Sequence, residues 1–169
     1  GFLGVDGKAI FVAGKEAGLL VGVDQGTRDV VHAVVAEFEG EEAFERLVRE
    51  AITEAGYPLK GLVMDAAPPF LAAHANYFSR APLQLCRIHA SRRLDFTISK
   101  ATRSPDAPIR AELKDRVRAV LFAPTEERAG RLFRRLLVDR DRYEGLGRRD
   151  TLGSMERTLD LYMTHHRIE

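Results

Sequence analysis

The chain has 169 residues, of which 45% are hydrophobic and 30% are charged, and its formal net charge is +1. This composition is that of an ordinary globular protein, and the length is sufficient for one domain with a substantial core. Because no apolar run approaches the roughly 20 residues that span a bilayer, the sequence predicts no membrane segment.

Three strands joined by tight turns are predicted at the start of the chain. The first apolar run, Phe2 to Val12, contains the pair Asp6 and Gly7, which favours a turn or a bulge. Two further runs, at residues 19–23 and 30–38, are separated by the turn sequence DQGTRD. This pattern predicts an antiparallel meander.

Helices and strands alternate in the next part of the sequence. From Glu41 apolar residues recur at helical spacing, and the pattern ends at residues 56–58. The segment LKGLVMD (59–65) predicts a buried strand, and the proline pair 68–69 is tolerated in the first turn of a helix. The segment PLQLCRI (82–88) predicts a further strand.

The remaining sequence predicts helices only, at residues 89–101, 109–122, 125–143 and 150–166. The preceding order of three strands, helix, strand, helix and strand is that of an RNase H-like core. The predicted fold class is therefore α/β: an RNase H-like mixed sheet of three antiparallel strands followed by alternating helices and strands, with a C-terminal all-helical insertion.

Two aspartates fall at one edge of the predicted sheet. Asp6 lies within the first strand and Asp65 ends the fourth, and these strands are neighbours in an RNase H-like sheet. Ligands gather at the carboxyl ends of strands in open sheets, and two close carboxylates repel each other unless a cation lies between them. We predict that both residues are catalytic and bind Mg²⁺ or Mn²⁺. A turn or capping role is the alternative for each.

The segments FLGVDGKAIFVAG, LLVGVDQGTRDVVHAVV, GLVMDAAPPFLAAHANYF and APLQLCRIHASRRL together resemble the catalytic core of DDE transposases of the mutator-like and insertion-sequence type. The resemblance covers residues 2–94. Its most specific element is the Cys-x-x-His motif that follows the second acid. The resemblance implies that Asp6 and Asp65 are the first two metal-binding acids and that Cys86 and His89 support the active site.

The same resemblance implies three parts: an RNase H-like catalytic core (1–94), a helical insertion (95–160) and a truncated approach to the third-acid helix (161–169). In the family the third acid lies in a segment like TNNxxE, which this sequence lacks. The sequence also begins without methionine, and we interpret it as part of a longer protein. We expect the third acid beyond residue 169, with Glu156 as the candidate within the chain.

Three other interpretations of Cys86 and His89 stay open. A zinc site needs about four ligands and would have to recruit His165 or His166. A nucleophilic Cys–His pair lacks an evident third group to orient it. A buried cysteine next to a partly exposed histidine at a strand end requires no function at all.

Basic residues are concentrated in the second half of the chain. Residues 1–86 carry 7 Lys and Arg against 12 Asp and Glu, whereas residues 87–169 carry 19 against 13. Most of these 19 are arginines, whose planar side chain can bind two phosphate oxygens at once. We predict that Arg87, Arg92 and Arg93 contact the DNA backbone. Solvated helix faces are the alternative, because acidic residues are interleaved.

The predicted function is that of a DDE transposase catalytic domain, which cleaves DNA and transfers strands in a metal-dependent reaction. Its partners would be transposon ends and target DNA, and the full-length protein would act as a homo-oligomer. The single cysteine fits a reducing cytoplasm, with nucleoid association if the source is bacterial. Two alternatives remain: an RNase H-like nuclease or resolvase, and an inactive transposase-derived domain that binds DNA or protein.

Overall fold

The computed structural model describes residues 1–98, 105–146 and 151–164. The chain forms two compact units, Gly1–Cys86 and Arg87–Glu169. The first is a mixed α/β unit and the second is helical. In the described ranges, no helix is both long enough and apolar enough to cross a membrane.

The first unit contains a five-stranded sheet and two helices. Their bounds are β1 (Phe2–Val12), β2 (Lys15–Asp24), β3 (Val30–Ala36), α1 (Glu41–Thr53), β4 (Gly61–Met64), α2 (Pro68–Tyr77) and β5 (Leu83–Leu85). The strand order across the sheet is β3-β2-β1-β4-β5. The pairs β1–β2 and β2–β3 are antiparallel, whereas β1–β4 and β4–β5 are parallel. The sheet is therefore mixed, with the first strand beside the fourth.

The first strand runs without interruption through Asp6 and Gly7, so the turn or bulge predicted there is wrong. β1 and β2 stay in register along their shared length. The chain reverses instead at Ala13 and Gly14, whose φ angles are 50° and 77°. A two-residue hairpin turn that matches the twist of the strands needs such positive φ values.

The core of the first unit lies on one face of the sheet, against α1 and α2. Successive side chains of a strand point to opposite faces, and Leu3 and Val5 of β1 are buried together with Leu62 and Met64 of β4. Helix α1 covers this face with buried residues at helical spacing: Ala43, Phe44, Leu47, Val48 and Ala51. The predicted amphipathic helix after Glu41 is confirmed.

The turn between β2 and β3 is organised by Asp24. Its Oδ1 accepts hydrogen bonds from the backbone N–H groups of Gly26 at 2.8 Å and Thr27 at 2.7 Å. The hydroxyl of Tyr57 donates to the other oxygen of the same carboxylate. These bonds lower the pKa of Asp24 to about 2, and the largest contribution comes from Tyr57 and the next from Thr27. The pKa of Tyr57 is raised, mainly by burial and secondly by its hydrogen bond to Asp24.

The second unit contains four α-helices and a short 3-10 helix in its described residues. Their bounds are α3 (Arg87–Thr97), α4 (Ala107–Leu121), α5 (Glu126–Val138), the 3-10 helix (Arg140–Tyr143) and α6 (Thr151–Tyr162). Thr125 caps α5, since its side chain accepts a hydrogen bond from the backbone N–H of Arg128 at 3.2 Å. A separate apolar core joins these helices, formed among others by Leu113, Val117, Leu121, Phe133, Leu136 and Met155.

Two predicted boundaries in this region are wrong. The strand predicted over residues 82–88 ends at Leu85, because its partner β4 ends at Met64, which pairs with Leu85. Helix α3 then begins at Arg87, so His89 lies in the first turn of a helix and not at a strand end.

The single helix predicted over residues 125–143 is interrupted after Val138. At this point Arg116 of α4 donates to the carbonyl oxygen of Arg135 at 2.9 Å and to Oδ2 of Asp139 at 2.6 Å. It also donates to the hydroxyl of Tyr143 at 2.5 Å. The guanidinium group therefore links α4 to the end of α5 and to the 3-10 helix.

Candidate active site

Asp6 and Asp65 follow two residues that are paired in the sheet. Val5 of β1 and Met64 of β4 are Cα partners in the parallel pair, and both are buried in the core. Asp6 and Asp65 each occupy the next position along the chain, where Asp6 is exposed and Asp65 is half-buried. Since paired strands lie about 4.8 Å apart, this register brings the two aspartates to neighbouring positions although they are distant in sequence.

Each of the two carboxylates accepts a hydrogen bond from the residue that follows it. The backbone N–H of Gly7 donates to Oδ1 of Asp6 at 3.0 Å, and the backbone N–H of Ala66 donates to Oδ1 of Asp65 at 2.7 Å. Hydrogen bonds to an ionised acceptor are stronger than those between neutral groups. The same kind of hydrogen bond, from the backbone N–H of the next residue, therefore orients both side chains.

Cys86 lies beside Asp65 at the same edge of the first unit. The parallel pair β4–β5 matches Met64 with Leu85, and the backbone N–H of Cys86 donates to the carbonyl oxygen of Met64 at 2.8 Å. The thiol belongs to a free, half-buried cysteine. His89 belongs to the second unit, so the Cys-x-x-His motif spans the boundary between the two units. The supporting roles of both residues stay predictions.

Glu39 is an acidic residue of this region that the sequence patterns did not single out. It lies between β3 and α1, and a Cβ atom on Gly7 would come within 2.6 Å of its Oε2. A Cβ atom on Gly18 would come within 2.9 Å of its backbone nitrogen. The pKa of Glu39 is raised, mainly because the side chain is buried and secondly because of the negative charge of Asp6. Asp6 and Glu39 therefore interact electrostatically.

The signal for Glu39 was present in the sequence as glycines inside strands. A glycine within a strand marks either a bulge or the close approach of another backbone. Gly18 serves the second purpose, because it leaves space for the backbone at Phe38 and Glu39, whereas Gly7 leaves space for the side chain of Glu39. Which segment fills that space is not encoded by the local pattern.

The site residues suit a hard divalent cation. Asp6 and Asp65 supply carboxylate oxygens, and the exposure of Asp6 leaves room for the water molecules that Mg²⁺ usually keeps. Among the described residues, one set of three side chains has potential ligand atoms that all lie within 4.8 Å of one another. Asp6 and Asp65 do not belong to this set. They fit Mg²⁺ as a pair of carboxylates that leaves other coordination positions to water or substrate.

The three arginines predicted to contact DNA lie on α3 of the second unit. The guanidinium of Arg87 lies 5.7 Å from the centre of the Phe122 ring, and its Nη1 donates to the carbonyl oxygen of Leu121 at 3.4 Å. Arg92 and Arg93 are exposed. Arg87 thus contributes to packing within its unit, and contact of the three with DNA stays a prediction.

Glu156, the candidate third acid, lies on α6 of the second unit. Its Oε2 is 3.8 Å from Nη1 of Arg140, and 53% of its side chain is exposed. An exposed ion pair at this distance contributes little to stability. Its role as third acid stays a prediction. His165 and His166, the histidines considered as further zinc ligands, lie outside the described residues.

No protein-family model and no curated protein matches the sequence. Among solved structures, the chain is similar to a chain of the simian T-cell lymphotropic virus intasome in complex with the PP2A regulatory subunit B56 gamma, determined by electron cryomicroscopy. The identity is 14% and the TM-score is 0.40, over 78% of this chain and 46% of the other. The chain thus spans less than half the length of that protein.

Proposed function

We propose that the first unit is an RNase H-like catalytic core of the DDE type, which cleaves DNA and transfers strands with divalent metal ions held by Asp6 and Asp65. The observation that carries this proposal is the pairing of Val5 with Met64, which makes the two aspartates neighbours. The strand order supports it as well. Three antiparallel strands are followed by two parallel ones, and the first strand lies beside the fourth, as in an RNase H-like sheet.

The chemistry of the donor set favours Mg²⁺ or Mn²⁺. Two neighbouring carboxylates repel each other, and a bound cation relieves that repulsion. Carboxylate oxygens without nitrogen or sulfur ligands favour hard cations. Bound Mg²⁺ would supply positive charge to the attacking and leaving oxygens of a phosphodiester in an in-line displacement.

The protein's part in this reaction is to position groups. A water molecule or a DNA 3′-hydroxyl attacks the phosphorus and gives its proton to solvent. A new P–O bond forms, the bond to the leaving oxygen breaks, and that oxygen takes up a proton from solvent. The N–H groups of Gly7 and Ala66 hold the carboxylates of Asp6 and Asp65 in fixed orientations. Such preorganisation lowers the reorganisation needed when charge develops. Glu39 adds negative charge next to Asp6 and strengthens the attraction for a cation.

DNA is the substrate class that the charge distribution supports. The second unit has 19 basic residues against 13 acidic ones. Arg92 and Arg93 are exposed on α3, and arginine binds phosphate oxygens through a planar fork. A polyanion whose phosphates also complete the coordination of Mg²⁺ fits both features.

The metal-binding part of the proposal is tested by adding Mg²⁺ to the ¹⁵N-labelled chain. We expect shifts of the amide signals around Asp6, Asp65 and Cys86, and their loss in Asp6→Asn and in Asp65→Asn. Asp29→Asn is the matched control, because Asp29 is an exposed aspartate of the β2–β3 turn in the same unit. The proposal is overturned if millimolar Mg²⁺ leaves these signals unmoved or if Asp29→Asn abolishes the shifts as well.

The reaction is tested with the longest version of the protein that contains this chain. Cleaved DNA and joined strands, both dependent on Mg²⁺ and on Asp6 and Asp65, are the expected products. Cleavage without strand transfer would favour the nuclease or resolvase alternative. DNA binding that persists without any cleavage, and that Asp6→Asn does not change, would favour the inactive binding domain.

A further inference from the structure

We infer that His32, Glu50 and Glu54 form a second metal site in the first unit, one that binds Zn²⁺ in preference to Mg²⁺. One imidazole nitrogen of His32 and one carboxylate oxygen from each glutamate all lie within 4.8 Å of one another. This cluster shares no residue with the pair Asp6 and Asp65. The inference is therefore independent of the proposed function.

The three side chains converge because a helix end packs beside a strand. Glu50 lies in α1 and Glu54 caps its C-terminus, and a spacing of four residues places both carboxylates on one face of the helix. His32 lies in β3, two residues before the buried Val34. Because side chains alternate along a strand, His32 and Val34 point to the same face, which is the one that α1 covers.

Two of the three ligands are already oriented by contacts. Nε2 of His32 lies 3.0 Å from Oε2 of Glu50. The other oxygen of Glu50, Oε1, lies 3.2 Å from Nε of Arg46. Only 23% of the side chain of His32 and 26% of that of Glu50 are exposed. Arg46 therefore holds one oxygen of Glu50 while the second faces the imidazole.

The geometry needs only a small adjustment to take an ion. Zn²⁺ lies about 2.0–2.2 Å from nitrogen and oxygen ligands, so two ligand atoms of one ion are at most about 4.4 Å apart. The three ligand atoms here all lie within 4.8 Å of one another, which is close to that separation. Glu54 is exposed at the end of α1, and its side chain can move toward the pair. Water would take the fourth tetrahedral position.

The ligand types favour zinc over magnesium. An imidazole nitrogen together with carboxylate oxygens suits Zn²⁺, whereas Mg²⁺ prefers oxygen ligands and octahedral geometry. A bound ion would connect β3 to the C-terminal end of α1. Because an ion that binds only the folded state stabilises it, Zn²⁺ is expected to raise the Tm of the first unit.

The test is a calorimetric titration with Zn²⁺ alone, followed in parallel by the imidazole NMR signals of His32. The protein carries His165→Gln and His166→Gln so that these two histidines, which are adjacent in the sequence, do not contribute. We expect one Zn²⁺ per chain, shifted His32 signals, and no competition from a large excess of Mg²⁺. His32→Gln and Glu54→Gln should each weaken Zn²⁺ binding by more than about tenfold. Substitution of residues that only support metal ligands already causes a loss of about that size.

Two variants keep this test decisive. Glu54→Gln changes an exposed residue and leaves the contact between His32 and Glu50 intact, so its effect does not depend on folding. Glu45→Gln, on the same helix and paired with Arg49, is the matched control and should leave the affinity unchanged. The inference is overturned if binding is weaker than millimolar, if Mg²⁺ competes equally, or if neither His32→Gln nor Glu54→Gln alters the affinity.

Discussion

The negative charge of Asp6 raises the pKa of Glu39, a residue of a different segment that packs over Gly7. Burial of the glutamate is the larger cause of this shift. Asp65 directly follows the neighbouring strand β4, at the position next to Asp6 in register. Three acidic residues from β1, from the end of β4 and from the segment before α1 thus contribute negative charge to one region of the first unit.

Glu39→Gln is expected to stabilise the protein at pH 7 and to have no such effect at pH 4. The pKa of Glu39 in the folded state is raised above its usual 4.5, so the folded state favours the protonated carboxyl. The wild type therefore loses stability as the pH rises from about 4.5 through the raised pKa. The measurement is Tm against pH for both proteins.

Glu37→Gln is the matched control for this prediction, because Glu37 is an exposed glutamate of the same segment. Asp6→Asn should lower the pKa of Glu39, since it removes the second cause of the shift. Titration of the Glu39 carboxyl carbon by NMR measures that change. An unchanged titration in Asp6→Asn would contradict the electrostatic interaction between the two residues.

Asp65→Asn is expected to stabilise the chain in the absence of divalent cations. It removes one of two neighbouring negative charges, and an interaction between exposed charges amounts to roughly 0–1 kcal/mol. The amide side chain retains an oxygen that can accept the hydrogen bond from the backbone N–H of Ala66. In Mg²⁺ the order should reverse, since only the wild type gains stability from the cation. Thermal unfolding with and without Mg²⁺ measures both effects.

Tyr57→Phe is expected to lower the Tm at pH 7, with the difference narrowing between about pH 4 and pH 2. The hydroxyl of Tyr57 is the largest cause that lowers the pKa of Asp24 from 3.8 to about 2. A lowered folded-state pKa stabilises the protein above the usual value, and this contribution is lost as the pH falls through about 2. Tyr77→Phe is the control, because Tyr77 is 55% exposed. A pH-independent difference would contradict the role of Asp24.

Phe44→Ala is expected to destabilise the first unit by about 3–5 kcal/mol. The ring of Phe44 is fully buried and lies 5.0 Å from the ring of Phe70 and 6.4 Å from that of Phe78, centre to centre. Phe11→Ala, at a position that is 77% exposed, should change the stability by no more than about 0.5 kcal/mol. Denaturant titrations followed by amide signals of the first unit measure both variants. Equal effects would contradict the position of the core.

Much of the first unit could be predicted from side-chain periodicity. Apolar runs bounded by turn residues indicated the strands, and helical spacing from Glu41 indicated α1, because both patterns depend on residues close in sequence. The boundary at Cys86 was less predictable. The strand there ends at Leu85 because its partner β4 ends, and that limit depends on pairing with a distant segment.

Sequence patterns alone predicted most of the helices and strands, and they identified Asp6 within the first strand and Asp65 at the end of the fourth. The contacts between distant segments follow only from tertiary packing: Glu39 lies over Gly7 near Asp6, and, at a separate place in the first unit, His32 lies next to Glu50. Local patterns follow from backbone geometry and solvent exposure, which a short window of sequence contains. Contacts between distant segments depend on how a whole sheet and its helices pack, so residues such as Glu39 and Glu54 acquire chemical neighbours that no local pattern specifies.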